Sequence, residues 1–228
     1  MERKNKPQIL AIIPARGGSK GILRKNIMPL ASKALITYTI EQSLHSRLID
    51  RTIVSTEDET IKAIAEQYGA EVIERPKDLA GDTTSSELVI EHATNVLNEG
   101  GSNPDIIVFL QCTSPLRREN DIDNAIKLLF DKNYDSVFSV TKNRHFIWRE
   151  DGDHLTALFD YKNRPRRQDR NPEYIENGSI FVFRRAIFEK EKNRICGKRG
   201  IYPMPYEYSF EIDTPFDFWL CEQIINRS

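Results

Sequence analysis

The feature that most constrains this chain is the alternation, over its first 140 residues, of short β-rich runs with longer stretches of helical period. The apolar, β-branched runs predict strands at Ile9–Ile13, Thr52–Ser55, Glu71–Glu74, Ile106–Leu110 and Ser136–Val140. Between them, Leu35–His45, Glu57–Tyr68, Ser85–Leu97 and Asp121–Phe130 carry apolar residues at the spacing of one helix face. Thr56-x-x-Glu59 and Thr84-x-x-Glu87 have the form of capping boxes, which pair the orphan N–H groups of a first helical turn. Strand–helix alternation requires crossover connections. It therefore predicts an α/β fold, a three-layer, mostly parallel sheet with helices on both faces. Ligands of such sheets sit beyond the carboxyl ends of the strands, so the loops after each strand are where function is expected.

The alternation stops between 141 and 172, where Trp148, Asp151-Gly152-Asp153 and the basic stretch Arg164 to Arg170 occur. Two further strand-like runs follow, Ser179–Phe183 and Ile201–Pro203, and a closing helix is predicted at Pro215–Ile225. The middle section holds too few apolar residues for a core of its own. The chain therefore reads as a single domain over 1–228, with 141–172 an irregular inserted arm.

Charge and cysteine usage remove several function classes. With 33 basic and 34 acidic residues the net charge is −1, without the basic excess expected of a duplex-binding protein. The longest apolar runs are too short to span a bilayer, and the charged first residues lead directly into a strand. Cys112, Cys196 and Cys221 are odd in number and widely spaced, which argues for reduced thiols and against a zinc site. The expectation is a cytoplasmic protein without nucleic-acid or membrane partners. The histidines 45, 92, 145 and 154 have no metal-ligand spacing and receive no role.

The sharpest motif is Ile13-Pro-Ala-Arg16-Gly17-Gly18-Ser19-Lys20-Gly21, followed by Arg24-Lys25-Asn26. It follows the first strand, where an anion site is expected. Its glycines allow a ligand close to the backbone, and their N–H groups can form an anion-binding nest. Arg16, Lys20, Arg24 and Lys25 add four positive charges with no acid between them, which suits a triphosphate and departing pyrophosphate. The pattern is neither the dinucleotide-binding nor the Walker glycine motif. A solvated Gly/Lys turn is the competing reading.

Five segments in order resemble the acylneuraminate (CMP-sialic acid) cytidylyltransferases. They are the glycine motif with Lys25-Asn26; Arg75-Pro76 with Leu79-Ala80 and Asp82; Leu110-Gln-Cys-Thr-Ser-Pro-Leu-Arg117; Asn177-Gly-Ser-Ile-Phe181; and Glu211-Ile-Asp-Thr214 with Asp217-Phe218. The resemblance implies a Rossmann-like fold of the nucleotide-diphospho-sugar transferase type. It implies a reaction in which CMP passes from CTP to the anomeric hydroxyl of an acidic nine-carbon (nonulosonic) sugar, releasing pyrophosphate.

By that resemblance Arg16, Lys20 and Lys25 hold the triphosphate, with Gly17, Gly18 and Ser19, and Asn26 holds the nucleotide near the reacting phosphorus. Arg75, Ser86 and the backbone near Thr84 read cytosine, although Ser86 could equally serve its own helix turn. Gln111, Arg167 and Asn177 contact the sugar. Asp213 and Glu211 hold Mg²⁺ or Mn²⁺, their two-residue spacing placing both on one face of a strand. The irregular arm crosses to a second subunit of a homodimer, where Phe146 and Trp148 are covered. The arginines of 164–170 read alternatively as a solvated charge run or a nucleic-acid patch.

Thr214, Pro215 and Asp217 have the form of a helix cap, so Asp217 is left out of the site. Cys112 stands where the family pattern has proline. The Kdo cytidylyltransferases carry a metal-binding aspartate nearby, a role a thiol cannot take toward Mg²⁺. Another sugar nucleotidyltransferase of this fold, or an inactive nucleotide-binding regulator, is the alternative function.

Overall fold

The computed structural model describes residues 6–19 and 21–227, with backbone only at Arg167. Its centre is a seven-stranded sheet. The strands are β1 (Ile9–Pro14), β4 (Arg51–Thr56), β5 (Glu71–Glu74), β6 (Ile106–Leu110), β7 (Ser136–Lys142), β10 (Tyr174–Arg184) and β11 (Arg199–Pro203), in the order β11-β7-β10-β6-β1-β4-β5. Two small two-stranded sheets complete the strand set: β2 (Pro29–Leu30) with β3 (Lys33–Ala34), and β8 (Trp148–Asp151) with β9 (His154–Ala157). All neighbours in the large sheet are parallel except β10, which runs antiparallel to both β6 and β7.

Period-two burial gives the three layers. In β1, Ile9, Ala11 and Ile13 enter one core while Leu10 and Ile12 enter the other; Ile106, Val108 and Leu110 of β6 oppose Ile107 and Phe109 in the same way. The first core is closed by α1 (Leu35–Leu44), α2 (Glu59–Gln67) and α4 (Asp121–Asp131). The second is closed by α3 (Ser86–Glu99) and α5 (Arg185–Glu191). A third cluster seats α6 (Pro215–Ile225) through Cys221 against Ile22, Leu30, Leu35, Leu116 and Ile212.

Two predicted helix starts move. Asp58, not Thr56, caps α2, its carboxylate accepting from Thr60 N and Ile61 N. Thr56 is still in β4, and the chain bends at Glu57 before the helix starts. Ser85, not Thr84, caps α3, accepting from Leu88 N. The cap at α6 matches the sequence: Thr214 and Asp217 exchange side-chain-to-backbone bonds, with Pro215 at the first helical position.

Between β7 and β10 the chain leaves the large sheet without becoming wholly irregular. It forms the exposed β8–β9 hairpin and a small cluster in which Phe146 packs on Phe159 (4.5 Å between centroids) and beneath Arg164 and Arg170. Phe146 is thus half-covered by its own chain, whereas Trp148 remains 46% exposed.

The open end of the sheet is held by Arg117, a buried guanidinium to which no carboxylate is bonded among the described residues. It donates to Ser179 O (2.8 and 3.1 Å), Gln111 O (2.6 Å), Thr39 Oγ1 (3.1 Å) and Gln42 Oε1 (3.0 Å), tying β6, β10 and α1 together. Burial pushes its pKa down to about 10, so the charge persists at neutral pH. Replacing Arg117 with Met keeps the packing but takes both guanidinium donors from Ser179 O and leaves Gln111 O only the longer bonds from Thr39 Oγ1 and Ser114 N (both 3.4 Å), at a cost of about 1–3 kcal/mol. Urea unfolding followed by circular dichroism should show that loss. An unchanged midpoint would contradict the role.

Candidate functional site

The chain runs from β1 outward to β4 and β5, then returns to place β6 on the other side of β1. The loops after β1 and β6 therefore diverge, opening the crevice at which α/β sheets bind ligands. A cavity of about 310 Å³ lies there. The loop after β1 contributes Pro14, Arg16, Gly18, Ser19, Lys25 and Asn26; the region after β5 contributes Arg75, Leu79, Gly81, Asp82 and Thr84. The first turns of α3 add Ser86 and Val89, and the loop after β6 adds Gln111, Cys112 and Thr113, with Glu211 closing the wall.

The glycine loop is fixed before any ligand arrives. Asn26, buried at the 3-10 turn Lys25–Ile27, donates from Nδ2 to Arg16 O (3.0 Å). Arg16 Nη1 reaches Asp82 Oδ1 at 2.7 Å across the cavity mouth. Gly21 passes so near the Asp213 backbone that a Cβ would lie 2.6 Å from its carbonyl oxygen. Lys25 Nζ then donates to Ile212 O (2.5 Å) and Asp213 Oδ1 (3.2 Å). Gly17, expected to offer its N–H to phosphate, instead donates it to Glu57 Oε1 at 2.7 Å, which leaves Gly18 and Ser19 as the loop's cavity-lining nest residues. Lys20 lies outside the described residues.

At the other end, Arg75 is 5% exposed. Among the described residues only its Nη2 is engaged, by Glu57 Oε2 at 2.8 Å, and its buried Nε has no partner. A buried unpaired donor in a cavity wall is what a heterocycle with adjacent carbonyl and ring-nitrogen acceptors would satisfy. Thr84, released from capping, and Ser86, at the first position of α3, stand beside it on the wall.

The third wall carries the acids. With its amide nitrogen toward the acceptors, Gln111 donates to Glu211 Oε1 (3.1 Å) and Gly178 O (2.9 Å), and Thr113 Oγ1 donates to the same carboxylate (3.1 Å). Residues 211–213 are not a strand as expected. They are an extended segment tied by Ile212 N to Thr113 O (2.8 Å), with Ile212 buried and Glu211 and Asp213 on the more open side. The two carboxylates therefore keep one-sided placement without a ladder. Burial, and then the charge of Asp213, raise the Glu211 carboxyl above its ordinary range.

The expected sugar contacts Asn177 and Arg167 lie away from this lining. Asn177 does not line the cavity. Its amide accepts from Ser139 Oγ (2.6 Å) and donates to Ser209 Oγ (3.0 Å), joining β7, β10 and the segment before α6. Arg167 begins a 3-10 turn in the arm, and its side chain lies outside the described residues. Cys112 forms part of the cavity floor, and burial pushes its thiol up to about 12, so it stays protonated at neutral pH. Sequence reasoning missed Glu57, whose only signal was its place directly after a strand.

A carboxylate whose folded pKa is raised contributes stability that is fully present below its unfolded value and lost as pH rises through its folded value. In chelator, Glu211→Gln should therefore resist urea better than the parent protein at pH 7. The difference should vanish below about pH 4, where the unfolded carboxyl is also protonated. Urea midpoints across that range check this, and a parent protein equal to or above the variant at pH 7 would contradict it.

A family model described as "Cytidylyltransferase" matches residues 10–226. The chain is 36% identical to the N-acylneuraminate cytidylyltransferase of Oncorhynchus mykiss, over 97% of this chain and 51% of that protein. It is 37% identical to the Escherichia coli O18:K1:H7 enzyme of that name, over 93% and 51%. It thus spans about half the length of the curated relatives it matches. A solved CMP:2-keto-3-deoxy-manno-octonic acid synthetase complexed with CTP superposes with TM-score 0.72 at 15% identity, over 96% of this chain and 99% of that one. The 4-diphosphocytidyl-2C-methyl-D-erythritol synthase of Anaerococcus prevotii does so at 0.70 and 17% identity, over 97% and 99%. These two show a shared fold. With the match running from β1 to the end of α6, this chain belongs to the cytidylyltransferase family.

Proposed function

We propose that this chain transfers CMP from CTP to the anomeric hydroxyl of a nonulosonic, sialic-acid-like sugar, releasing pyrophosphate. The observation that carries the reading is the cavity at the switch point, whose wall presents the cations Arg16 and Lys25, the unpaired buried donor of Arg75 and the Glu211 carboxylate, with Asp213 beside it on Lys25. The N-acylneuraminate cytidylyltransferase relatives, at 36–37% identity, favour the nonulosonate over Kdo. Cys112 agrees, because a thiol cannot supply the oxygen ligand that Mg²⁺ prefers.

In this reading the triphosphate lies along Gly18, Ser19 and Arg16, with Lys20 and Lys25 contributing positive charge, and Asn26 keeps the loop in register. Arg75, Thr84 and Ser86 receive the cytosine. Gln111, hydrogen-bonded to Glu211, meets the acidic sugar at the end of β6. Arg167 reaches the sugar carboxylate from the arm, and Asn177 acts behind the pocket by holding β10 in place. The arm also carries the homodimer contact, through the exposed Trp148 and Leu155 of its hairpin. Reduced thiols and a nucleotide substrate fit a cytoplasmic reaction.

The donor set suits a divalent cation. Among the described residues no group of three histidine, cysteine or acidic side chains could hold a metal ion. Two carboxylates beside a triphosphate, however, are the usual protein share of a Mg²⁺ site, which keeps phosphate and water as its other ligands. Glu211 and Asp213 are those two, and Glu211 holds its proton more tightly than usual because it is buried and, after that, because Asp213 is near. Bound there, Mg²⁺, or Mn²⁺ in its place, supplies charge neutralisation at phosphorus and acidifies the attacking hydroxyl. Lys25, released from Asp213, then faces the charge that develops on pyrophosphate. Acceleration comes mainly from positioning and electrostatics.

Pyrophosphate release should require CTP, a divalent cation and one nonulosonic acid from a panel that includes Kdo. Turnover with Kdo alone would move the chain to the alternative branch, and silence with every acid despite CTP binding would make it a nucleotide-binding relative. Lys25→Ala and Asp213→Ala, each with the parent circular dichroism, should lower kcat by about 100-fold or more. Near-parental turnover in both would overturn the mechanism.

A further inference from the structure

The carboxyl ends of three adjacent parallel strands meet at one side chain. Glu57 directly follows β4 and is mostly buried, 14% exposed, against Arg75, 4% exposed, which directly follows β5. Its Oε2 takes Arg75 Nη2 at 2.8 Å and its Oε1 takes Gly17 N at 2.7 Å, in the loop after β1. The frame around it is stiff. Ala15 N bonds Ser55 O (3.0 Å), Arg75 N bonds Thr56 O (2.8 Å), and Gly17 sits so close to Asp58 that a Cβ would lie 2.4 Å from its Oδ2.

This arrangement sets a carboxylate against the backbone of a loop otherwise built for anions. A negative charge there repels phosphate unless it is neutralised, and in a buried site the repulsion is weakly screened. Arg75 is the neutralising group. We infer that Glu57 is a positioning residue that couples the base-reading arginine to the phosphate loop: Arg75 holds the Glu57 carboxylate neutralised, and Glu57 in turn fixes both the Gly17 backbone and the guanidinium that meets the base. The inference rests on the proposed placement of triphosphate and base. Its consequence is that Arg75, although it is not part of the phosphate loop, controls affinity for a ligand that has no base at all.

Inorganic tripolyphosphate is such a ligand, and its binding can be followed by calorimetry. Arg75→Ala exposes the Glu57 charge to the loop and should weaken tripolyphosphate binding about tenfold. Adding Glu57→Gln to that variant removes the charge and should restore affinity to within about threefold of the parent. A merely structural role for Arg75 would not be reversed by a second substitution in its partner. An Arg75→Ala protein that binds tripolyphosphate like the parent, or a double variant no better than Arg75→Ala, overturns the coupling. If Arg75→Ala does not fold, Arg75→Gln provides the same pair of comparisons. Parent protein that binds no tripolyphosphate would instead sink the phosphate-site reading itself, and the coupling with it.

Discussion

Everything that distinguishes this site depends on keeping the ends of β6 and β10 beside each other while the chain reverses direction between them. Arg117 does this from inside the protein. Its five donated hydrogen bonds go to carbonyls and neutral side chains, so the charge is spread over dipoles and not cancelled by an acid. A guanidinium is suited to this, because its planar fork of donors can satisfy several strand-end carbonyls at fixed geometry, and its weak hydration lessens the cost of burial. Gln111 and Ser179, which accept from it, begin and flank the wall that carries Gln111, Thr113 and Glu211. The cavity is therefore a consequence of packing below it as much as of the residues that line it.

Above that floor, the cations of the cavity are already matched within the chain. Arg16 has Asp82, Arg75 has Glu57 and Lys25 has Asp213, at 2.7, 2.8 and 3.2 Å. The pairs hold long side chains in place, so a triphosphate would meet a preorganised field and not a set of mobile charges. The matching also makes the site selective. A ligand must offer anions where Asp82 and Asp213 now sit, and acceptors for the donor that Glu57 leaves free on Arg75.

The central β-α alternation was legible because the inner strands are buried on two faces and each helix on one, so burial writes its period into the residues. Elements outside that logic were not. In β8 and β9 nearly every residue is exposed, so Trp148–Asp151 and His154–Ala157 carry no alternation to read. Helix α5 is seven residues, too short to display a face. The antiparallel direction of β10 was hidden because an arm, not a helix, leads into it. Its early start at Tyr174 depends on a bulge between Glu176 and Phe181. At the site, the motif resemblance named residues that the fold brings to one cavity, from Arg16 to Glu211. Glu57 was lost because it was assigned to a helix that starts two residues later, after the Asp58 cap. Motif position also could not show that the Asn177 amide is bonded to Ser139 and Ser209.

The most direct test of this account is a crystal structure of the chain with CTP. The account predicts the cytosine within hydrogen-bonding distance of the Arg75 guanidinium, beside Ser86, with the triphosphate along Gly18 and Ser19 and the Glu57–Gly17 bond intact. A triphosphate bound elsewhere, for example in the basic hollow between Lys142 and Arg170, or a base that leaves Arg75 untouched, would contradict it.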